Sequence, residues 1–261
     1  MVEIEPTYTS PLILWLWLLI SIPPLLLLTR WISRHTQIIL LLLTRHDQMA
    51  MLLNQIVFLP GVLLHEVSHW LMARIVGART ISLSIWPARQ TDGSLRLGYV
   101  QTERVDFVRE AMIGIAPLLA GSAAVVMIGY SRWAVGSLET ALVSGNMYQF
   151  FQLFTGQVNT ADLLIWLYLL FALSNTMLPS ASDWRAWPAV VLLLGALGVV
   201  LYMAGAEQFV QHTFGSLLAT GVRVIASAFT IAIVIDLLIA PIVFGVECVL
   251  WLVSKKQVWG G

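Results

Sequence analysis

The stretch Leu63-Leu64-His65-Glu66-Val67-Ser68-His69-Trp70 places two histidines and a glutamate inside an apolar run that extends from about residue 49 to residue 76. Residues four apart lie on the same face of a helix, so His65 and His69 can offer two imidazole nitrogens to one metal ion. Glu66 lies beside that face and can act as a general base on water at the metal. Ionisable side chains inside a membrane are costly and by default functional. The stretch therefore predicts a zinc site in a membrane-embedded helix.

The composition agrees with a membrane setting. Hydrophobic residues make up 59% of the 261 residues, charged residues make up 11%, and the mean hydropathy is +0.85. A soluble domain carries about 25% charged residues, so this chain has too few polar groups to cover a surface that faces water. The formal net charge is zero and no basic block indicates a nucleic-acid partner. Cys248 is the single cysteine, which excludes an internal disulfide and a cysteine-rich zinc site.

Six long apolar segments predict six transmembrane helices in a mostly α-helical protein. They cover residues 11–32, 48–77, 108–130, 162–178, 184–205 and 221–254. Residues 37–43 are too few to span a bilayer, and we expect them to lie along its interface or to extend the next helix. Residues 133–156 are amphipathic but too polar around Ser144-Gly145-Asn146 to predict a further span.

The stretch between Arg79 and Arg109 has a different pattern. Ile81-Ser82-Leu83-Ser84-Ile85 alternates apolar and polar residues, and so does Leu95-Arg96-Leu97, which leads to Tyr99-Val100. Gln90-Thr91-Asp92-Gly93-Ser94 between them is a strong turn signal. We expect a β-hairpin here, although an ordinary surface loop is the alternative. Because an unpaired strand edge cannot face lipid, the hairpin should lie at the membrane interface or beside protein near the metal site.

A catalytic zinc site takes three protein ligands and leaves one position for water, so two histidines do not complete it. The other candidates are His35, His46, His212, Asp183 and Asp236. Asp183 ends a stretch in which Asn175 and Pro179 interrupt an apolar segment, and a helix must break there. Such a break survives at membrane depth only where it is buried in protein or lines a water-filled cavity, which makes Asp183 a candidate oxygen ligand. The alternatives are a helix N-cap for Asp183, an interhelical hydrogen bond for Asn175, and a structural pair with Arg223 or the backbone for Asp236.

At this point the residues resemble the site-2 protease family of intramembrane zinc metalloproteases. The likeness rests on the histidine–glutamate motif, the following hairpin, the small residues and proline of Gly114-Ile115-Ala116-Pro117, and the later Asn175…Asp183 segment. In the family, the typical third motif is Asn-Pro-x-Pro-x-x-x-Leu-Asp-Gly, and its aspartate is the third zinc ligand. Asn175 and Asp183 keep the eight-residue separation, whereas Thr176, Ser182 and Trp184 depart from the motif. The resemblance covers about residues 48–185, and the family's PDZ and CBS modules have no counterpart.

The resemblance implies a zinc metalloendopeptidase with one Zn²⁺ held by His65, His69 and Asp183. Glu66 would act as the general base, and Asn175 would hold the substrate backbone or stabilise the developing oxyanion. The implied substrate is a single-pass membrane protein whose helix unwinds locally, because a helix hides its carbonyls, and the hairpin would pair with it by strand addition. The alternative function is a zinc-binding membrane transporter or metal sensor, which would need more polar residues along a path. A third possibility is a scaffold without catalytic activity, but the presence of the predicted general base Glu66 disfavours it.

We divide the chain into residues 1–47, an N-terminal helix and interfacial segment; residues 48–185, the metalloprotease core; and residues 186–261, the C-terminal helices. Six alternating spans put nine basic residues on the side of the N-terminus and five on the other side. The nine are Arg74, Arg79, Arg89, Arg96, Arg104, Arg109, Arg185, Lys255 and Lys256, and the five are Arg30, Arg34, Arg45, Arg132 and Arg223. Positive charge accumulates in the cytoplasm, so we expect a multi-pass protein of a prokaryotic cell membrane with both termini and the hairpin cytoplasmic.

Overall fold

The computed structural model of the protein describes residues 11–84, 88–89, 95–96, 98–158, 160–180 and 182–258. Its helices are α1 (Pro11–Thr44), α2 (Asp47–Ile75), α3 (Phe107–Arg132), α4 (Val135–Val143), α5 (Met147–Val158), α6 (Leu163–Thr176), α7 (Trp187–Met203) and α8 (Glu207–Val258). Its strands are β1 (Thr80–Ser84), β2 (Ala88–Arg89), β3 (Leu95–Arg96) and β4 (Tyr99–Thr102). The prediction of a mostly helical protein with a small β-hairpin is therefore confirmed.

Four of the six predicted membrane segments are helices long and apolar enough to cross a bilayer. They are Leu12–Thr44, Asp47–Ile75, Phe107–Arg132 and His212–Val253. The other two predicted segments form α6 and α7, which are apolar but only 14 and 17 residues long. A helix of about 20 residues matches the roughly 30 Å of a hydrocarbon core, so these two are shorter than a typical span.

The chain is helical over longer stretches than the apolar segments predict. Residues 37–43 neither lie apart nor extend the next helix: they continue the first span, and α1 runs for 34 residues with Pro23 and Pro24 inside it. Basic residues near the end of an apolar segment do not have to end a helix, because their long side chains can reach water while the helix continues. The sixth segment likewise begins 14 residues early and forms the 52-residue α8. Residues 133–156, for which no further span was predicted, form α4 and α5, and Gly145 has a φ of +69° between them.

The hairpin follows α2 after a short turn. β1 pairs with β4 in antiparallel fashion, with Leu83 opposite Val100, and β2 pairs with β3 further out. The predicted turn at residues 90–94 lies outside the described residues. In the described part of this sheet, β1 and β4 are hydrogen-bonded only to each other, so each has one edge without a neighbouring strand.

The buried core lies where α2, α3, α6 and α8 pack together. Its apolar side chains include Phe58, Val62, Leu118, Val125, Leu170, Phe171 and Ile235. None of the α7 side chains is buried, and most of its long apolar residues are exposed, as expected for a helix that faces lipid. Two contacts show that α1 and α8 run parallel. Trp17 bonds to Thr230, and His35, 18 residues further along α1, contacts Glu247, 17 residues further along α8.

Candidate metal centre

Three predicted ligands lie together at the end of α2. The Nε2 atoms of His65 and His69 are 3.1 Å apart. Asp183 lies against both, with Oδ1 at 3.5 Å from His69 Nε2 and Oδ2 at 3.9 Å from His65 Nε2. Among the described residues, these three form a cluster whose ligand atoms all lie within 4.8 Å of one another. Tetrahedral ligands at about 2.0–2.1 Å from a zinc ion are about 3.3 Å apart, so the spacing fits such an ion.

The tautomers of the two imidazoles follow from their outer partners. His65 Nδ1 lies 2.7 Å from the carbonyl oxygen of Thr176, and His69 Nδ1 lies 2.8 Å from that of Ile113. A carbonyl oxygen can only accept, so each Nδ1 must carry a hydrogen and each neutral ring has its lone pair on Nε2. Two lone pairs and a carboxylate thus converge on one point, and a cation or a shared proton is needed between them. Metal-bound histidines have this outer arrangement.

The break after α6 supplies the partner of His65 and holds Asp183. In a continuous helix the N–H of Ser180 would bond to the carbonyl of Thr176. Here the Ser180 N–H and hydroxyl both donate to Asp183 Oδ2 at 2.6 Å, which leaves the Thr176 carbonyl for His65. The alternative N-cap role of Asp183 is not what the structure has, because Ala186 is the N-cap of α7 and Asp183 caps no α7 amide.

Pro117 supplies the partner of His69. A proline inside a helix has no N–H, so the carbonyl four residues earlier loses its intrahelical donor. Four residues before Pro117 is Ile113, whose carbonyl accepts from His69. The proline of α3 therefore leaves free a backbone acceptor at the position where the second histidine needs one.

Gly114 lets the segment that carries Asp183 lie directly on α3. A Cβ atom at this position would overlap with the carbonyl oxygen of Asp183 and would lie 3.1 Å from its carbonyl carbon. Any side chain would push the backbone of Asp183 away, so the third ligand reaches the histidines because residue 114 has none.

Glu66 is 6% exposed and lies where the hairpin meets α2. Gly98, which directly precedes β4, packs against it: a Cβ at Gly98 would lie 2.8 Å from both Cγ and Oε1 of Glu66. The hairpin therefore approaches the predicted general base with bare backbone.

Asn175 has no amide hydrogen available for a group at the candidate metal site. Its Nδ2 donates to Asp236 Oδ1 at 2.8 Å and to the carbonyl of Phe171 at 3.0 Å, so both amide hydrogens are in use. In this conformation the amide has no hydrogen left for an oxyanion. Asp236 is fully buried in α8 and is bonded to Asn175 rather than belonging to the metal cluster.

The three other histidines lie outside the cluster. His35 contacts Glu247 between α1 and α8, whereas His46 and His212 are exposed. Sequence reasoning did not identify the carbonyls of Ile113 and Thr176 or the glycines at 98 and 114. The proline four residues after Ile113 is the one local signal that could have indicated such a partner.

Comparisons of the chain with protein-family models, with curated proteins and with solved structures gave no match. The arguments for its function therefore rest on the residues and geometry described above.

Proposed function

We propose that the protein is an intramembrane zinc metalloprotease of the site-2 protease type, which hydrolyses peptide bonds in or near the transmembrane segments of membrane-anchored substrates. The observation that supports this most strongly is the convergence of His65, His69 and Asp183, which are separated by up to 118 positions in the sequence, beside the buried Glu66. The membrane-crossing lengths of α1, α2, α3 and α8 support the intramembrane setting.

His65, His69 and Asp183 would hold the zinc ion. When bound, zinc acidifies water and polarises a peptide carbonyl. Glu66 accepts the proton of the attacking water and later donates it to the leaving amine, because it is the carboxyl group beside the two histidines. The carbonyls of Thr176 and Ile113 keep both imidazoles in the tautomer that presents Nε2. Asn175 holds the end of α6 in place through its bonds to Phe171 and Asp236.

The hairpin is the proposed substrate platform. Peptide bonds in a helix are hidden by internal hydrogen bonds, so a cleavable segment must be extended. The open edges of β1 and β4 can pair with such a segment by strand addition, and Gly98 brings β4 next to Glu66. The chemistry of this edge suits one extended peptide, such as an unwound single-pass helix. Nucleic acid is not a proposed partner.

We propose that α6 and α7 are membrane-associated helices and that the hairpin lies in the cytoplasm; the sequence also predicts both termini on that side. Six arginines between Arg74 and Arg109 support the side of the hairpin. One observation counts against the placement of the termini: α1 and α8 run parallel, whereas the first and last of six alternating spans run antiparallel. Reporter fusions at the two ends decide this, since opposite locations of the termini would rule out six complete crossings.

The protease is tested with purified protein, a co-reconstituted single-pass substrate and the variant Glu66→Gln. Because the three ligands are intact, we expect this variant to keep one zinc per chain and to lose cleavage. The control is Glu139→Gln in α4, which makes the same substitution at an exposed glutamate outside the metal site and the hairpin and should cleave normally. Cleavage by Glu66→Gln at near the wild-type rate would show that the proposed mechanism is wrong.

A zinc transporter or metal sensor is the alternative, and the same ligands favour it. Among the described residues the buried charged side chains are few, Glu66 and Asp236, which offers little for an ion path. Zinc flux into vesicles measured with wild type and Glu66→Gln separates the two functions, since a transporter should retain flux in the variant.

A further inference from the structure

A second polar group lies inside the helix bundle and has no part in the proposed chemistry. Asp236 of α8 is 0% exposed, and its Oδ1 accepts from Asn175 Nδ2 at 2.8 Å. Two oxygens of this pair are buried without a hydrogen-bond partner: Asn175 Oδ1 and Asp236 Oδ2. Buried polar atoms in membrane proteins are normally satisfied, so this pair requires an explanation.

A count of hydrogens supplies one. An ionised carboxylate can only accept, and both amide hydrogens of Asn175 are already used. If Asp236 were ionised, its buried charge would be bonded to a single neutral donor. Two acceptors, Asp236 Oδ2 and Asn175 Oδ1, would then have no donor at all. One proton on Asp236 Oδ2 turns the first of these acceptors into the donor that the second, Asn175 Oδ1, lacks. A carboxylic acid and an amide can bond to each other twice in this way.

We propose that Asp236 is held as the neutral acid and that it clamps Asn175, and through it the last turn of α6, in the position that the metal centre requires. Asn175 immediately precedes Thr176, whose carbonyl orients His65, and the break that carries Asp183 begins one residue later. Fixing Asn175 to α8 therefore fixes both the tautomer-setting carbonyl and the start of the ligand loop. Asp236 is a positioning residue, and this role rests on the proposed protease function.

The experiment compares Asp236→Asn with Asp236→Leu. Asparagine copies the neutral acid, because its amide can accept from and donate to Asn175, whereas leucine keeps the branched shape, is larger, and removes both bonds. We expect Asp236→Leu to lower kcat by about 10- to 100-fold with little change in KM, the range seen when partners of metal ligands are removed. Asp236→Asn should stay within about threefold of wild type on the same scale. Equal loss in both variants would show that the charge is needed, and wild-type turnover in Asp236→Leu would show that nothing is positioned; either result overturns the proposal.

Two further measurements keep the proposal testable if Asp236→Leu folds poorly. The infrared spectrum of the wild type should contain the carbonyl band of a protonated carboxylic acid that Asp236→Asn lacks, and a carboxylate band in its place would refute the neutral acid. In a double-mutant cycle, Asn175→Leu with Asp236→Leu should be no worse than either single variant, because they remove one clamp; additive losses would contradict the pair. The infrared test needs neither substrate nor metal. The infrared test can therefore fail or succeed independently of the protease function. A wild-type protein that neither binds zinc nor cleaves would instead contradict the proposed function.

Discussion

The contact between α3 and the Asp183 segment makes a sharp prediction for Gly114→Ala. The new Cβ would overlap with the carbonyl oxygen of Asp183 and would lie 3.1 Å from its carbonyl carbon and 3.3 Å from its Cα. Ordinary contacts between such atoms are near 3.5 Å, so the segment must move by about 1 Å. The atom pushed is backbone, and it cannot rotate out of the way as the end of a side chain can.

A shift of this size should be felt mainly at the metal. Displacing a group of the metal site typically lowers affinity or activity by about 10- to 100-fold, which corresponds to about 1.4–2.7 kcal/mol. The helix itself should not suffer, because alanine is favoured over glycine in a helix by about 1 kcal/mol. The overlap costs about 1–3 kcal/mol, of which the higher helix propensity of alanine offsets about 1 kcal/mol. We therefore expect weaker zinc binding and slower cleavage together with a small fall in melting temperature. Zinc affinity is measured by competition with a chelator and melting by the fluorescence of the tryptophans.

Gly129→Ala is the matched control on the same helix. Its Cβ would meet Ile231 Cδ1 at 2.8 Å, which is the far end of a flexible side chain that can move aside. The control should bind zinc and cleave as the wild type does. If Gly114→Ala did the same, the Asp183 segment would not lie on α3 as described, and the derivation of the third ligand from this contact would be refuted.

Three other predictions concern the ligand, the hairpin and the start of α3. Asp183→Ala should lower zinc stoichiometry in the purified protein. Asp236→Ala removes a positioning residue and no ligand, so at saturating zinc its stoichiometry should stay near that of wild type; full occupancy in Asp183→Ala would contradict the assignment. Leu83→Pro should keep zinc and strongly reduce cleavage, because proline removes a ladder donor from β1, and normal cleavage would reduce the hairpin to a connection. The N–H of Arg109 bonds to Asp106 and lowers the pKa of that carboxyl group. The stabilisation from this bond is complete above the ordinary pKa of 3.8 and is lost as the pH falls through the lower pKa of the folded protein. In thermal melts over this acidic range, the melting temperature of Asp106→Asn should therefore fall less than that of wild type.

Local patterns account for the parts of the protein that could be predicted. The motif around His65 and His69 needs only helical periodicity, and the hairpin needs only alternation and turn residues. Asp183 is identifiable because Pro179 and Asn175 interrupt an apolar segment, which marks a helix break. These inferences depend on residues close together in the chain, where backbone geometry alone decides which side chains share a face.

The contacts that could not be predicted join distant residues. Asn175 was expected to serve the reaction directly or to make an interhelical hydrogen bond. The structure has an interhelical bond, but its partner Asp236, 61 positions away, was not predicted. No local pattern indicates such a pair, because two polar residues inside separate apolar helices can each have several partners. The length of α1 was missed for a different reason. Hydropathy shows where an apolar segment ends at charged residues, but the helix itself continues past that point to Thr44.

Interrupted backbone hydrogen bonding connects the fold to the site. A membrane interior offers no water to satisfy a carbonyl that has lost its helical donor, so such a carbonyl must find another group. Pro117 frees the carbonyl of Ile113, which accepts from His69, and the break after α6 frees that of Thr176, which accepts from His65. Pro60 does the same for Ile56, whose carbonyl accepts from Tyr168 at 3.3 Å. The residues that would weaken an ordinary helix therefore supply the fixed acceptors that orient both imidazoles.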